Sequence, residues 1–508
     1  MAYKGRMVYK ECMLSAEDRA FLAAVSKLAF CNPFLPERAA YEREALGPAF
    51  EPADTIWSLQ PDNPEAERPN ISKIAAKLAP LVERLRLATL DGASQALYED
   101  CVIHLLYQRY YESFAKVREG DGNCRFYGAF AADWRHFLPH RQAEAAHIFA
   151  CFRQVQRAFL HIFESIIGAS MPAARLRASV WESIFSYDMR RYRRILFERM
   201  GDFATLITGP SGTGKELVAR AIAKSRYVPF DANRMTFPSG EPFLPINISA
   251  LSSTLVESEL FGHRRGSFTG AVADRKGWLE ACPPYGAVFL DELGDLEQAI
   301  QVKLLRVIET RTFHPVGETA SKRFQGKLIA ATNRDLGAEI SAGRFREDLY
   351  YRLCSDQIRT PSLREQLDDS PDSLRSLLQF LARRAAGPEA EESLDELEEW
   401  IGAKLGAKYG WPGNYRELDQ VVRNFLVRRS YTPLMGASRT NEATGLPSGA
   451  IQLLGAGITA EELVTIYAAS VYGETGSYEG AARVLGLDRR TVKEKVKKYW
   501  ASRPQPPA

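Results

Sequence analysis

A glycine-rich stretch between an apolar run and a helical run carries the clearest chemistry in the sequence. It is TLITGPSGTGKE, whose loop begins at Gly209 and ends at Lys215. Glycines let backbone N–H groups wrap phosphate oxygens, the helix N-terminus adds its dipole, and the lysine reaches the β- and γ-phosphates. We therefore expect a nucleotide phosphate site made of Gly209, Pro210, Ser211, Gly212, Thr213, Gly214, Lys215 and Glu216. A strand-to-helix turn that binds no nucleotide is the alternative.

Two further apolar runs end in polar residues that could complete a phosphate-transfer site. GAVFLDEL ends in Asp291 and Glu292, which could place one carboxylate near Mg²⁺ and the next near the attacking water. IAATNRDL carries Asn333, which could orient that water or sense the γ-phosphate. The alternatives are an acidic strand end that faces solvent and an asparagine that serves turn chemistry. At the first motif, Glu216 replaces the Ser or Thr that usually touches magnesium.

Two arginines follow in GRFREDLYYRL, where Arg346 and Arg352 are six positions apart. An arginine supplied across a subunit boundary can stabilise the charge of a transferring phosphate. At this spacing on a helix the two side chains need not face one site. A solvated helix face with ion pairs to Glu347 and Asp348 is the alternative, and the residues alone favour it.

The stretch ELFGHRRGSFTGAVADRKG has an unusual centre. Phe268 and Thr269 stand between Gly266 and Gly270, with charged residues on both sides. We expect that such a loop cannot bury its phenylalanine locally. It is therefore either the tip of a turn or a contact presented to a partner.

Length and composition bound the class of protein. At 508 residues the chain needs more than one hydrophobic core, so we expect two to four domains. The net charge of +3 indicates no particular partner, and seven cysteines without a C-x-x-C pair favour free thiols in a reducing compartment. No stretch approaches the roughly 20 apolar residues that span a bilayer. We expect a cytoplasmic protein with no membrane contact.

The elements that position these motifs change along the chain. Helical periodicity dominates residues 1–177, and short apolar runs then alternate with helical ones, which indicates an α/β domain with a largely parallel sheet. That domain is expected over residues 178–429, with strands up to about 362 and a helical lid after them. Residues 430–457 are rich in Gly, Ser, Thr and Pro and read as a linker, and residues 458–508 form a small all-α domain.

The C-terminal stretch SYEGAARVLGLDRRTVKEKVKKYW predicts a helix, a turn around Gly486 and a second, basic helix. This is the pattern of a helix-turn-helix, whose second helix suits the major groove and the phosphates. An exposed basic helix on a small bundle is the alternative. The candidate DNA-binding residues are Arg489, Arg490, Thr491, Lys493, Lys495 and Lys497.

Read in order, the motifs resemble those of a known family. Over about residues 178–429 the sequence resembles the AAA+ domain of sigma-54-dependent bacterial enhancer-binding proteins. The motifs that carry the resemblance are GPSGTGKE, ESELFGH, GSFTGA, GAVFLDEL, QVKLLRVIE, ATNRDL, FREDLYYRL and WPGNYREL. That family tolerates Glu after the phosphate-loop lysine, and the tail resembles its Fis-type DNA-binding module.

The resemblance implies roles for particular residues. Lys215 and its loop would bind ATP, Asp291 would hold Mg²⁺ and Glu292 would activate water. Four further matched positions are Asn247, which would restrain the catalytic glutamate, Asn333 in sensor I, the arginine fingers Arg346 and Arg352, and Arg416 in sensor II. The loop Gly266, Ser267, Phe268, Thr269, Gly270 and Ala271 would touch sigma-54, with Ser267 in place of the family's alanine.

These roles imply a transcription activator that binds enhancer-like double-stranded DNA and remodels sigma-54 RNA polymerase holoenzyme with ATP. Active sites between subunits imply a homo-oligomer, a hexamer by the family's habit, with a dimer at rest as the other state. A DNA-binding AAA+ regulator that represses, or that remodels something other than sigma-54, is the alternative function.

The N-terminal third matches no sensory family, and it offers no acidic pair after a first apolar strand, so we do not expect a phosphoacceptor receiver. It would take an unknown ligand or protein. Its histidines include the spacing Glu144-x-x-His147, which di-iron bundles use twice, but a second copy is missing. Satisfied core or surface histidines are the favoured interpretation, and the many aromatic residues could line a ligand pocket or form core.

Overall fold

The computed structural model describes residues 14–52, 69–117, 124–238, 243–406, 409–433 and 459–501. The chain divides into two compact units, residues 1–430 and residues 431–508. In the described part, no helix has the length and apolar character needed to cross a membrane.

The N-terminal region is helical, as predicted. Its helices are α1 Ala16–Phe30, α2 Glu37–Leu46, α3 Pro69–Leu85, α4 Gly92–Ala115, α5 Tyr127–Phe137, α6 Ala145–Ser165, α7 Met171–Phe185 and the short α8 Met189–Arg191. Side-chain caps start several of them: Ser15 accepts a hydrogen bond from the Asp18 amide, and Asp91 accepts one from the Ser94 amide. Large apolar side chains, among them the fully buried Trp134, fill the space between α1, α4, α5 and α6.

The α/β part follows directly. Its strands are β1 Thr205–Thr208, β2 Phe243–Asn247, β3 Gly262–His263, β4 Arg275–Lys276, β5 Ala287–Asp291, β6 Thr312–Phe313, β7 Lys322–Arg323, β8 Lys327–Thr332 and β9 Asp356–Arg359. Five of them form a parallel sheet in the order β2-β5-β8-β1-β9. The parallel α/β prediction is confirmed. Two small antiparallel pairs, β3 with β4 and β6 with β7, were not anticipated.

Helices flank this sheet and continue into the lid. They are α9 Lys215–Lys224, α10 Ser253–Phe261, α11 Trp278–Ala281, α12 Gln298–Thr310, α13 Leu336–Ser341 and α14 Glu347–Leu353, followed by α15 Leu363–Asp369, α16 Ser373–Ala386, α17 Leu394–Lys404 and α18 Asn414–Arg428. Strands β5 and β8 are buried along most of their length, because helices cover both faces of the sheet.

Helix α7 runs through the boundary expected between residues 177 and 178. Arg177 is fully buried and donates hydrogen bonds to the carbonyls of Ile166 and Gly168 at 2.9 and 2.6 Å. Ile162 of α6 and Trp181 of α7 belong to the same apolar core as the sheet strands. The last helices of the N-terminal region are therefore packed as part of the α/β layer.

The C-terminal unit contains α19 Ala460–Thr475, α20 Tyr478–Leu485 and α21 Arg489–Ala501. Gly486 ends α20 with a φ of +63°, which the predicted turn requires. Ala468, Ala481, Val492 and Val496 form a small core between the three helices.

Candidate functional site

The glycine-rich loop joins the central strand β1 to helix α9. Gly209, Gly212 and Gly214 have φ angles of +146°, +77° and +87°, which disfavour other residue types. A Cβ on Gly209 would lie 2.2 Å from Thr360 Oγ1, and one on Gly212 would lie 2.2 Å from the Gly413 carbonyl oxygen. The glycines are therefore required both by backbone conformation and by the close approach of β9 and the lid.

Lys215 is the first residue of α9 and is mostly buried. Its Nζ donates to the carbonyl oxygens of Gly209 and Pro210 at 3.0 and 3.1 Å, which closes the loop on itself. Burial lowers the pKa of Lys215, and the negative charges of Glu292 and Asp291 oppose that shift. The lysine and the two acids thus share one electrostatic environment.

Asp291 ends β5, and Asn247 at the end of β2 is its partner in the register. Burial raises the pKa of Asp291, while Lys215 and Arg416 act to lower it. Glu292 follows with a left-handed backbone, at a φ of +57°, which turns the chain sharply after the strand. The parallel strands therefore deliver the predicted acids to the edge that carries the phosphate loop.

Among the described residues, the side chains of the two predicted asparagines form no hydrogen bond with these acids. The Asn247 side chain accepts a hydrogen bond from Ser249 Oγ at 2.8 Å. No bond from Asn247 to Glu292 occurs among the described residues, although its implied role would use one. Asn333 follows β8 and is exposed at the same sheet edge. Glu216 lies one residue after the lysine and pairs with Arg220 at 2.8 Å.

The lid reaches the loop through the start of α18. Arg416 Nη1 donates to Ser211 Oγ at 3.3 Å, so the predicted sensor II residue lies beside the phosphate loop. Asn414 donates from Nδ2 to the Ser211 carbonyl at 2.9 Å, and its Oδ1 accepts from the Leu363 amide at 2.9 Å.

Sequence reasoning missed two residues at this contact. Asn414 is buried, and Thr360 Oγ1 lies 2.7 Å from Thr213 Oγ1 at the end of β9. The available signal for Asn414 was a polar residue at the start of a helix, directly after Gly413. A threonine between a strand and Pro361 was the signal for Thr360.

The two predicted arginine fingers are exposed at opposite ends of α14. Arg346 precedes the helix and forms a two-point ion pair with Asp348, at 3.0 and 2.6 Å. Arg352, in the last turn, pairs with Glu309 of α12 at 3.0 Å. Of the ion pairs expected for a solvated face, the one with Asp348 is present at Arg346, whereas the partner of Arg352 comes from another helix. Among the described residues, neither arginine forms a hydrogen bond or ion pair with the phosphate loop.

The GSFTGA loop connects β3 to β4, and the expectation that it cannot bury its phenylalanine is wrong. Phe268 is half-buried because its ring packs edge-on against His263, with 4.9 Å between ring centroids. Thr269 and Gly270 are exposed at the tip. The amide of Gly266 donates to the Ala271 carbonyl at 2.8 Å and closes the loop.

The connection between β6 and β7 supports this loop from one side. The Arg264 amide donates to the Val316 carbonyl at 3.0 Å, and the Arg264 guanidinium pairs with Asp274 and Glu318 at 2.6 and 2.7 Å. A Cβ on Gly317 would lie 2.7 Å from Ser267 Cβ. Ser267 is therefore the residue of the motif that packs against this support.

The predicted basic residues lie on α21. Arg489, Arg490, Lys493 and Lys497 are exposed, and Thr491 and Lys495 are half-buried. The backbone amide and the hydroxyl of Thr491 both donate hydrogen bonds to the Asp488 carboxylate, which caps the helix. The Thr491 hydroxyl therefore already has a partner within the chain.

The N-terminal histidines lie apart, each in its own setting. His136 contacts Glu83 at 3.0 Å, and His147 contacts the Tyr227 hydroxyl at 2.9 Å. Glu144, of the Glu-x-x-His spacing, pairs with Arg141 at 2.9 Å. Among the described residues no group of His, Cys, Asp and Glu has the arrangement of a metal site.

This geometry agrees with similarity to known proteins. The sigma-54 interaction domain, an AAA+ ATPase domain, matches residues 188–359. The chain is 36% identical over 67% of its length to the transcriptional regulatory protein ZraR of Salmonella typhimurium, of which it covers 73%. It is 36% identical to the hydrogenase transcriptional regulatory protein HoxA of Bradyrhizobium diazoefficiens, over 59% of this chain and 60% of that one.

The chain is 39% identical to ZraR of Escherichia coli, over 57% of this chain and 62% of that protein. It therefore spans about three-fifths of the length of HoxA and of Escherichia coli ZraR. A crystal structure of NtrX from Brucella abortus in complex with ADP aligns with a TM-score of 0.40 and 21% identity, over 81% of this chain and 86% of that one. By its sigma-54 interaction domain and its match to Salmonella ZraR, the chain belongs to the sigma-54-dependent enhancer-binding transcriptional regulators.

Proposed function

We propose that the protein activates transcription by using ATP hydrolysis to remodel sigma-54 RNA polymerase holoenzyme at promoters. The supporting observation is that the phosphate loop, Asp291, Glu292 and the lid residue Arg416 share one sheet edge and one electrostatic environment. The same domain presents Thr269 at an exposed loop tip. Hydrolysis and polymerase contact would therefore belong to one domain.

The ATP site suits a phosphate ligand. The amides of the loop and of the α9 N-terminus would bind phosphate oxygens, and Lys215 would exchange its two carbonyl contacts for the terminal phosphates. Asp291 suits Mg²⁺, because it is a half-buried carboxylate without an ion-pair partner among the described residues. Magnesium, when bound, would neutralise phosphate charge. Glu292 would accept the proton of the attacking water at its carboxylate.

The remaining roles require other molecules. Arg346 and Arg352 are exposed and would reach the ATP of a neighbouring subunit, which makes the active form a ring, a hexamer, assembled from a dimer or smaller resting state. The basic face of α21 would bind enhancer DNA as the second helix of a helix-turn-helix, with half-sites about one helical turn apart. The protein would act in the cytoplasm.

The first test separates hydrolysis from polymerase contact. Thr269→Ala should retain the ATPase rate of the wild-type protein and lose open-promoter formation by sigma-54 polymerase, because Thr269 is at the loop tip and away from the phosphate loop. Val272→Ala is the matched control, since Val272 is 84% exposed beside the motif. Equal loss in both variants, or full promoter opening by Thr269→Ala, would favour an AAA+ regulator that does not act on sigma-54.

A second test addresses shared active sites. The ATPase rate per subunit should rise with protein concentration, and Arg352→Ala should abolish that rise while the protein still binds ATP. A rate per subunit that is independent of concentration would contradict catalysis between subunits.

A further inference from the structure

A cavity of about 630 Å³ lies in the N-terminal helical region. Residues of α1 to α4, of α6 to α8 and of the helical turn after α8 line it. A volume in the range of roughly 300–1,000 Å³ is typical of small-molecule sites. The ATP site lies elsewhere, at the carboxyl edge of the sheet, so the proposed hydrolysis leaves this cavity unexplained.

Aromatic side chains form much of the cavity wall. Trp181 lies between Phe159 and Phe185, with ring centroids at 5.1 and 4.4 Å, and Phe30 and Phe152 line other parts of the cavity. Such walls favour a ligand with an aromatic or other apolar body.

Three nitrogen atoms of lining residues are buried without a hydrogen-bond partner in the described structure. They are Trp181 Nε1, His104 Nε2 and Arg193 Nε. Trp181 is 2% exposed and His104 is 6% exposed, so bulk water does not supply the hydrogen bonds that these side chains lack. A buried polar group without a partner is unfavourable, because no hydrogen bond compensates its loss of water, and a ligand with hydrogen-bonding atoms would relieve this cost.

The charged side chains that line the cavity are Arg38, Arg193, Glu112 and Glu164. Arg38 is paired with Glu42 at 3.1 Å, and the lining acids Glu112 and Glu164 are exposed. Within the described ranges, Arg193 has no carboxylate at ion-pair distance, and its guanidinium lies 5.8 Å from the Phe30 ring centroid. Burial lowers the pKa of Arg193, and the carboxylates of Asp100 and Glu144 oppose that shift from beyond ion-pair distance.

We infer that this cavity binds a carboxylic acid with an aromatic or other apolar body, its carboxylate paired with Arg193 and accepting from the Trp181 indole N–H. His104 would hydrogen-bond a further polar atom of the ligand. A neutral ligand of the same shape would leave the guanidinium unpaired and would bind more weakly.

The cavity is also tied to the ATP site. Tyr192, which lines it, donates to Gln154 Oε1 at 2.7 Å, and Gln154 Nε2 donates to the Ser225 carbonyl at 3.0 Å. Ser225 ends α9, and Lys215 begins it. A bound acid would thus alter nucleotide affinity, a regulatory step that rests on the proposed function.

The experiment measures the melting temperature of the full chain with 1-naphthoate, decanoate and the neutral analogues naphthalene and decanol. At least one acid should raise it more than its neutral analogue does, and Arg193→Met should weaken the affinity for that acid at least tenfold. Arg194→Met is the matched control, because Arg194 is exposed in the same turn and does not line the cavity. Circular dichroism establishes that both variants are folded.

Each outcome decides one step. No shift with either acid, or equal affinity in both variants, overturns the carboxylate site. With the binding acid present, the Kd of a fluorescent ATP analogue should change at least threefold in the wild-type protein and not in Arg193→Met. An unchanged Kd overturns the regulatory step. Failure of the analogue to bind at all counts against the proposed function and leaves the melting result to decide the site.

Discussion

Single polar side chains hold the phosphate loop against β9 and the lid. Thr360 contacts Thr213 and also donates to the Thr208 carbonyl at 3.2 Å, while Asn414 bridges the Ser211 carbonyl and the Leu363 amide. Both residues are buried. Since an unpaired buried group costs more than its hydrogen bond contributes, each contact is sensitive to small changes.

Asn414→Ala should weaken ATP binding and lower the melting temperature, because it leaves the Leu363 amide and the Ser211 carbonyl without these bonds, at about 1–3 kcal/mol. Asn424→Ala is the control, since Asn424 lies on the same helix and bonds only to the Gln420 carbonyl. Isothermal titration with an ATP analogue measures the effect. Equal affinities in the two variants would contradict a role for Asn414 at the loop.

A second residue-scale prediction concerns pH. Burial lowers the pKa of His104 to about 4, below its ordinary value of 6.5. The unfolded chain therefore takes up a proton first, so stability is lost as pH falls from about 6.5 towards 4. Between pH 7 and pH 5 the wild-type protein should lose about 2 kcal/mol more unfolding free energy than His104→Gln. Urea unfolding at both pH values measures this, and parallel losses would contradict it.

At the scale of elements, two antiparallel pairs act together. The pair β3–β4 carries the GSFTGA loop, and the connection between β6 and β7 holds its base through Arg264. The hydrogen bond from Arg264 lowers the pKa of Glu318. The hydrogen bond from the Arg265 amide, and after it the one from Arg264, lowers the pKa of Asp274. Arg264 and Asp274 are exposed and Glu318 is half-buried, so we expect these pairs to fix the loop more than to stabilise the whole fold.

Arg264→Met should speed amide hydrogen exchange across residues 264–274 severalfold and leave the melting temperature nearly unchanged. The reason is that the loop base loses both ion pairs while no core contact is lost. Arg265→Met is the matched control, because only the backbone amide of Arg265 bonds to Asp274. Exchange measured by mass spectrometry that is the same in both variants would show that Arg264 does not hold the loop.

At the scale of the whole molecule, the N-terminal region and the α/β part of residues 1–430 share a core. Helix α7 contributes Trp181 and Phe185 to the cluster that contains Ile207 and Phe289 of the sheet. Ser183 Oγ donates to Asp356 on β9 at 2.5 Å. A signal bound by these helices would need no flexible tether to reach the sheet.

Truncation should expose this dependence. A chain that starts at Ala178 loses Ala173, Ala174 and Leu176, all buried, whereas one that starts at Ser170 keeps α7 whole. The shorter chain should melt roughly 5 °C lower than the longer one, and both should melt below the full chain. Calorimetry decides the order, and equal melting temperatures for the two truncated chains would contradict a structural role for the first half of α7.

The sequence by itself determined the local units. The strand–loop–helix around Lys215, the strand that ends in Asp291 and the turn at Gly486 between two helices were all predicted, because each requires particular residue types at fixed spacing. The carboxyl ends of parallel strands meet at one edge, so the meeting of the Lys215 loop with Asp291 also followed from the sequence. The roles of Asn247, Arg416 and the GSFTGA loop went beyond local chemistry and came from the resemblance.

The tertiary structure alone decided contacts between segments far apart in the chain. The approach of Thr360 to Gly209 and the bridge from Asn414 to Ser211 could not be read from local spacing. The same holds for the cavity beside Trp181, which is lined by residues of seven helices, α1 to α4 and α6 to α8. Spacing along the chain fixes which face of an element is apolar, but which element covers that face depends on packing, which only the folded chain settles.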